Sequence, residues 1–222
     1  MTMLTFSWKR WITISEFRLE LIEQITRPTA RDKQRNIGPS ELGNPCPKCV
    51  GRALAGERAQ QSFSLYPWIG TAGHYYLEDH VFPDAEHELK LLVGEIEGYG
   101  EIRGTTDMYR PDAKDVVDWK FVGLKKLKTY RINGAPTQYR YQAMLYGRGC
   151  ELSGREVETV RIAFIPRDSG DVRDIWVHEE AYQPEMAERA LERGKFIFDY
   201  VQENGWDSLE SDDDCYVCNN IW

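Results

Sequence analysis

Asp118 and Lys120 stand two residues apart in the segment DVVDWKFV (115–122), which otherwise has the apolar, β-branched character of a buried strand. Strand alternation puts residues i and i+2 on the same face, so a carboxylate and an ammonium share one side. Asp107 lies in the preceding strand-like segment, GYGEIRGTTDMYRP (98–111), and the turn RPDAKD makes the two a hairpin that can bring Asp107 near Asp118. Two carboxylates at one point repel unless a cation neutralises them. A hard divalent ion with oxygen ligands does so, and Mg²⁺ or Mn²⁺ is the natural choice. The protonated lysine cannot be a ligand, but it can orient a water or stabilise charge on a phosphate. The competing reading of these residues is a plain cross-strand ion pair at a sheet edge.

A second constellation is softer. Cys46-Pro-Lys-Cys49 and Cys215-Tyr-Val-Cys218 are C-x-x-C pairs near opposite ends of the chain. Each pair can give two thiolates to one ion, and together they make a closed four-sulfur site of the kind zinc occupies. Such a site would staple the N-terminal segment to the end of the chain; free buried thiols are the alternative. Cys150 has no partner in this pattern and is expected to pack as a small apolar residue.

The elements that must position these groups can be read from periodicity. Residues 13–26 predict a helix, with Thr13 and Glu16 fitting a capping box and Phe17, Leu21 and Ile25 on one face. Residues 28–39 are polar and read as a linker or arm, and Ser40 can cap a short turn at SELG. GTAGHYYLEDHVF (70–82) predicts a helix with Tyr76, Leu77, Val81 and His80 inward. Strands are expected at 87–93, 98–111 and 115–122, then a Lys/Arg-rich loop and a helix at 136–148. Strands at 157–167 and 171–180, joined by DSG, precede a long helix at 184–205 with Pro184 in its first turn and Gly205 at its end. The order α, β, β, β, α, β, β, α predicts a mixed sheet with flanking helices, an α/β sandwich.

The formal net charge of −8 argues against a polyanionic partner only if charge is evenly spread. It is not. From Lys120 to Cys150 there is no Asp or Glu, while Lys125, Lys126, Lys128, Arg131, Arg140 and Arg148 lie there among tyrosines. That stretch is either a solvated surface or one that faces phosphates. No run approaches the roughly 18 apolar residues of a membrane span. The N-terminus lacks a clear signal-peptide pattern, so a cytoplasmic protein with metal-binding or free thiols is expected.

The pattern RGTTDMY…VVDWKFV resembles the PD-(D/E)XK nuclease signature, with Asp107 as the motif acid and Asp118-Trp119-Lys120 as the D-x-K. GTAGHYYLE, with Gly70, His74 and Glu78, is similar to the helical G-x-x-x-H-x-x-x-E element of the RecB-like branch. Gln142 and Tyr146 in QAMLY are similar to its Q-x-x-x-Y motif. GPSELGNPCPKC resembles the serine- and cysteine-bearing segment of the iron–sulfur RecB-like exonucleases, including CRISPR-associated ones.

The resemblance implies a restriction-endonuclease-like core over residues 38–222, with residues 1–37 as an N-terminal helical extension. It implies a Mg²⁺- or Mn²⁺-dependent deoxyribonuclease, an exonuclease by kind, acting on single-stranded DNA or duplex ends. His74, Asp107, Asp118 and the Trp119 carbonyl would ligate the metal, and Lys120 would position the attacking water. Glu78, one turn after His74, would support it or hold a second ion. Gln142 and Tyr146 would contact the strand or brace the site, and Lys125, Lys126, Lys128, Arg131 and Arg140 would guide DNA. A recombination or replication protein, in a phage or CRISPR-type setting, is the implied partner. The resembling enzymes often carry a [4Fe–4S] cluster on one early and three late cysteines. Two early and two late cysteines depart from that and are typical of zinc. A non-catalytic DNA-binding or assembly module on the same fold is the alternative.

Overall fold

The computed structural model describes residues 16–27, 36–57 and 64–220. The chain divides between residues 34 and 35 into two units. The first carries α1 (Glu16–Ile25), which buries none of its residues. Thr13, the expected cap of this helix, lies outside the described residues.

Among the described residues, the second unit is built on one five-stranded sheet in the order β1 (Glu86–Ile96), β2 (Gly100–Arg110), β3 (Asp115–Val122), β4 (Thr159–Pro166) and β5 (Trp176–Ala181). All pairings are antiparallel except β3 with β4, which run parallel. A parallel pair needs a crossover, and α5 (Leu124–Asn133) and α6 (Thr137–Leu152) supply it. The result is a mixed sheet with helices on both faces.

One face carries the larger core. Leu91, Val93, Ile102, Tyr109, Val116, Val122, Ile162 and Phe164 of the sheet pack there. Against them lie Leu42 of α2 (Pro39–Leu42), Val50 and Leu54 of α3 (Pro47–Leu54), Leu127 of α5, Met144 and Leu145 of α6, and Ile197 of α7 (Pro184–Asn204). The other face holds a smaller cluster of Met108, Val117, Trp119 and Ala163, covered by Leu77 of α4 (Leu65–His80).

Several elements depart from expectation, each for a physical reason. The Lys/Arg-rich loop is instead α5, whose polar sequence hides a helix that buries only Leu127. Helix α4 begins at Leu65, because Ser64 caps it by accepting from Tyr66 N–H at 3.3 Å. Its inward side also differs. A Cβ on Gly73 would meet the Phe121 ring at 2.2 Å, so this glycine lets the helix lie close on the sheet. Tyr76 and His80 are thereby turned outward and stack on each other at 4.5 Å. The segment before β5 forms a short 3₁₀ turn, Val172–Asp174, rather than strand. In α2 the cap is Gly38, not Ser40, and its N–H is bonded by the Glu41 carboxylate at 3.1 Å.

Candidate functional site

Asp107 and Asp118 sit where the β2–β3 ladder opens. That ladder pairs Arg110 with Asp115, Tyr109 with Val116 and Met108 with Val117, then stops. The next two residues in register are Asp107 and Asp118. β3 pairs with β4 along its whole length, from Asp115 to Val122, so past Val117 it keeps β4 and loses β2. The Asp107 side chain takes the place of the missing strand partner: its Oδ2 accepts the Trp119 N–H at 2.7 Å. A carboxylate is thus locked in the cleft between two diverging strands.

His74 enters this cleft from α4, with Nδ1 3.2 Å from Asp107 Oδ1. Lys120 Nζ lies 2.6 Å from Asp118 Oδ2 and 5.1 Å from the centre of the Tyr139 ring. Asp118 is 1% exposed, whereas the side chains of Asp107 and His74 keep 14% and 31% of theirs. The site is therefore buried on the Asp118 side and open on the His74 side.

Electrostatics follow from that gradient. Burial raises the Asp118 carboxyl to about 6, and the Asp107 charge adds to it, while Lys120 and His74 pull the other way. For His74, burial opposes the charged ring, but the hydrogen bond and charge of Asp107 outweigh it and raise its pKa. Two acids thus face an imidazole and an ammonium that partly offset them. Carboxylate oxygens with an imidazole nitrogen are a donor set that can hold a divalent cation.

The other residues expected at the site divide. His74, Asp107, Asp118 and Lys120 come together. Glu78 does not join the ligand-type group of His74 and Asp107; Glu88 of β1 does, with one ligand atom from each of the three within 4.8 Å of the others. One helical turn, about 5.4 Å, carries Glu78 along the axis from His74. Glu88 is in no motif, and only the pairing of β1 with β2 reveals it.

Gln142 and Tyr146 are buried, and Gln142 Nε2 donates to the Tyr146 hydroxyl at 3.1 Å. A Cβ on Gly104 of β2 would meet the Tyr146 ring at 3.0 Å. They sit inside the core, where α6 packs on the sheet. Arg140 is held in a two-point ion pair by Glu180, at 2.8 and 2.6 Å, and Arg131 donates to the Asp174 carbonyl at 2.6 Å. Lys125, Lys126 and Lys128 are exposed on α5, which begins directly after the strand that carries Lys120.

The four paired cysteines meet at the far side of the larger core. Cys46 Sγ is 3.8 Å from Cys218, and Cys49 Sγ is 3.4 Å from Cys215 and 3.7 Å from Cys218. A disulfide would need about 2.05 Å. Four thiolates each about 2.3 Å from one tetrahedral ion stand about 3.8 Å apart. Both pairs use the same local device. Cys46 caps α3, and Cys215 accepts the Asn219 N–H at 3.0 Å to open α8 (Tyr216–Asn220). The early loop is fixed from α7 by Arg193, which donates to the carbonyls of Asn44 at 2.8 Å and Pro45 at 2.7 Å. Cys150 is fully buried in α6, and burial pushes its thiol up to about 12.

The sequence matches no established family profile and no curated protein. Solved structures do resemble the fold. A candidate exonuclease from Eubacterium rectale shares 13% identity at a TM-score of 0.54, covering 87% of this chain and 92% of that one. The protein SSO0001 shares 16% identity at a TM-score of 0.51, covering 84% of each chain. An alkaline exonuclease from Laribacter hongkongensis shares 9% identity at 0.45, covering 84% and 91%. Among the described residues no helix is long and apolar enough to cross a membrane. With its mixed sheet and its opened β2–β3 hairpin, the chain shares its fold with the Eubacterium rectale candidate exonuclease and with SSO0001.

Proposed function

We propose that the protein is a divalent-metal-dependent DNA nuclease, an exonuclease by kind, that hydrolyses phosphodiester bonds. The observation that carries this reading is the meeting of His74, Asp107, Asp118 and Lys120 where the β2–β3 ladder opens. His74, Asp107, Asp118 and the Trp119 carbonyl hold Mg²⁺ or Mn²⁺. The ion, when bound, neutralises the scissile phosphate and lowers the pKa of a water. Lys120 orients that water and stabilises the negative charge that grows on the phosphate. Its ammonium is already aimed by Asp118 and by the Tyr139 ring, so little reorganisation is needed as charge develops. Gln142 and Tyr146 hold α6 to the sheet behind the site.

Lys125, Lys126 and Lys128 supply the sequence-independent attraction for the DNA backbone. Residues 38–222 form the nuclease domain and residues 1–37 an extension to it. The resemblance favours a role in recombination, repair or replication, in a phage or CRISPR-type setting with a partner protein that opens the duplex. The sulfur spacing supports a single zinc ion at Cys46, Cys49, Cys215 and Cys218. A [4Fe–4S] cluster places several irons between its thiolates and requires a wider cage.

The test is a time course on end-labelled linear and on circular DNA with Mg²⁺ or Mn²⁺. Linear substrate should be degraded from its ends. Asp118→Ala and Lys120→Ala should each lower the rate by at least about 10²-fold with the fold intact. Full activity in either variant refutes the assignment.

A further inference from the structure

Glu88 lies inside β1 with φ +49°, a left-handed backbone that a residue bearing a Cβ rarely adopts. Among the described residues two other non-glycine residues have positive φ, Phe82 and Lys114, but both lie outside the strands. Glu88 is flanked by the pairs His87 with Met108 and Leu89 with Thr106, so its place in the ladder is opposite Asp107.

Both strands lose their alternation at this point. In β2, Ile102 and Tyr109 pack into the same core cluster although they are an odd step apart, and Met108 belongs to the opposite face. In β1, Glu86 pairs with Tyr109 and Leu89 faces the same core, again an odd step apart. One slip in each strand, at matching positions, frees Asp107 from the ordinary alternation. The same slip brings an oxygen of Glu88 within 4.8 Å of ligand atoms of both His74 and Asp107. Glu88 is exposed, so the group it forms with His74 and Asp107 is open to solvent.

We propose that Glu88 is a metal ligand, holding a divalent cation together with His74 and Asp107. The proposal rests on the nuclease reading but adds a residue that no motif contains. It also explains the backbone. Strain at a ligand is kept because the bound ion repays it.

Mn²⁺ titration of the purified protein, followed by the EPR signal of free Mn²⁺, tests this alongside melting in the absence of metal. Glu88→Gln should weaken Mn²⁺ binding by about tenfold or more. Glu88→Gly should weaken it similarly while raising the metal-free melting temperature by a few degrees, since glycine accepts the left-handed backbone. Wild-type affinity in Glu88→Gln overturns the proposal and leaves the nuclease reading standing. A lower melting temperature in Glu88→Gly, with Mn²⁺ affinity unchanged, also overturns it by making Glu88 structural. If the wild type takes up no Mn²⁺, the metal reading of the whole site fails with it.

Discussion

The molecule has two centres able to hold metal, and they are built by opposite rules. The cysteine centre gathers four like ligands, two from each end of the second unit, with sulfur atoms 3.4 to 3.8 Å apart. Each pair opens a short helix, so two residues of local sequence suffice to aim it. The acidic centre gathers unlike groups from α4, β1, β2 and β3, and one of them is a buried aspartate pushed up to about 6. A closed set of soft donors stabilises and leaves no position for substrate. An open set of hard donors in a graded cleft is costly to hold without its ion, and it leaves room for chemistry. The difference is the one expected between a structural staple and a site open to substrate.

The largest effect expected from breaking this contrast is at the staple. Cys215→Ser should release the ion and lower stability by several kcal/mol, a fraction of the about 10–16 kcal/mol with which structural zinc binds small domains. Hydrogen exchange should then show the segment from Trp206 to Asn220 losing protection first, while Mn²⁺ binding at the acidic centre persists.

Next is the pH dependence of the acidic centre. The Asp118 pKa is raised in the folded state, so its contribution is present at low pH and is lost as pH rises through about 6. His74 is raised as well, so its contribution is lost in the same direction. The metal-free wild type should therefore lose stability relative to Asp118→Asn between pH 4 and pH 7. A shift of about two units allows up to about 3 kcal/mol. Parallel melting curves across that range would refute the electrostatic account.

A smaller effect tests placement. Gly73→Ala drives a methyl into the Phe121 ring, and should cost about 1–3 kcal/mol by overpacking. It moves His74, so nuclease activity should fall further than stability does. The smallest effect is electrostatic. Replacing Lys125, Lys126 and Lys128 by Ala should leave melting within about 0.5 kcal/mol. The salt dependence of DNA binding should weaken by up to about 0.9 in slope for each lost phosphate contact.

Strong local signals made part of this legible in the sequence. The strand at 115–122 is read to the residue, because its apolar run is bounded by turn residues. The long helix at 184–204 is equally plain from Pro184 and Gly205. Helix α5 is hidden because its lysines mask the periodicity that one buried leucine cannot carry alone. Tyr76 and His80 are misplaced because the direction of α4 is set by the contact of Gly73 with Phe121, from a strand far along the chain.

The sequence by itself determined the donor types, their grouping into two centres and the order helix, strand, strand of α4, β2 and β3. Those properties reside in neighbouring residues: C-x-x-C spacing, D-x-K alternation, and capped or bounded segments. Only the tertiary structure decided that Gln142 and Tyr146 are buried and bonded to each other, that Arg140 is bound to Glu180, and that Glu88 rather than Glu78 lies beside His74 and Asp107. Each of these depends on strand register or on packing between distant segments. Local propensity carries no information about which glutamate a neighbouring strand will place opposite Asp107.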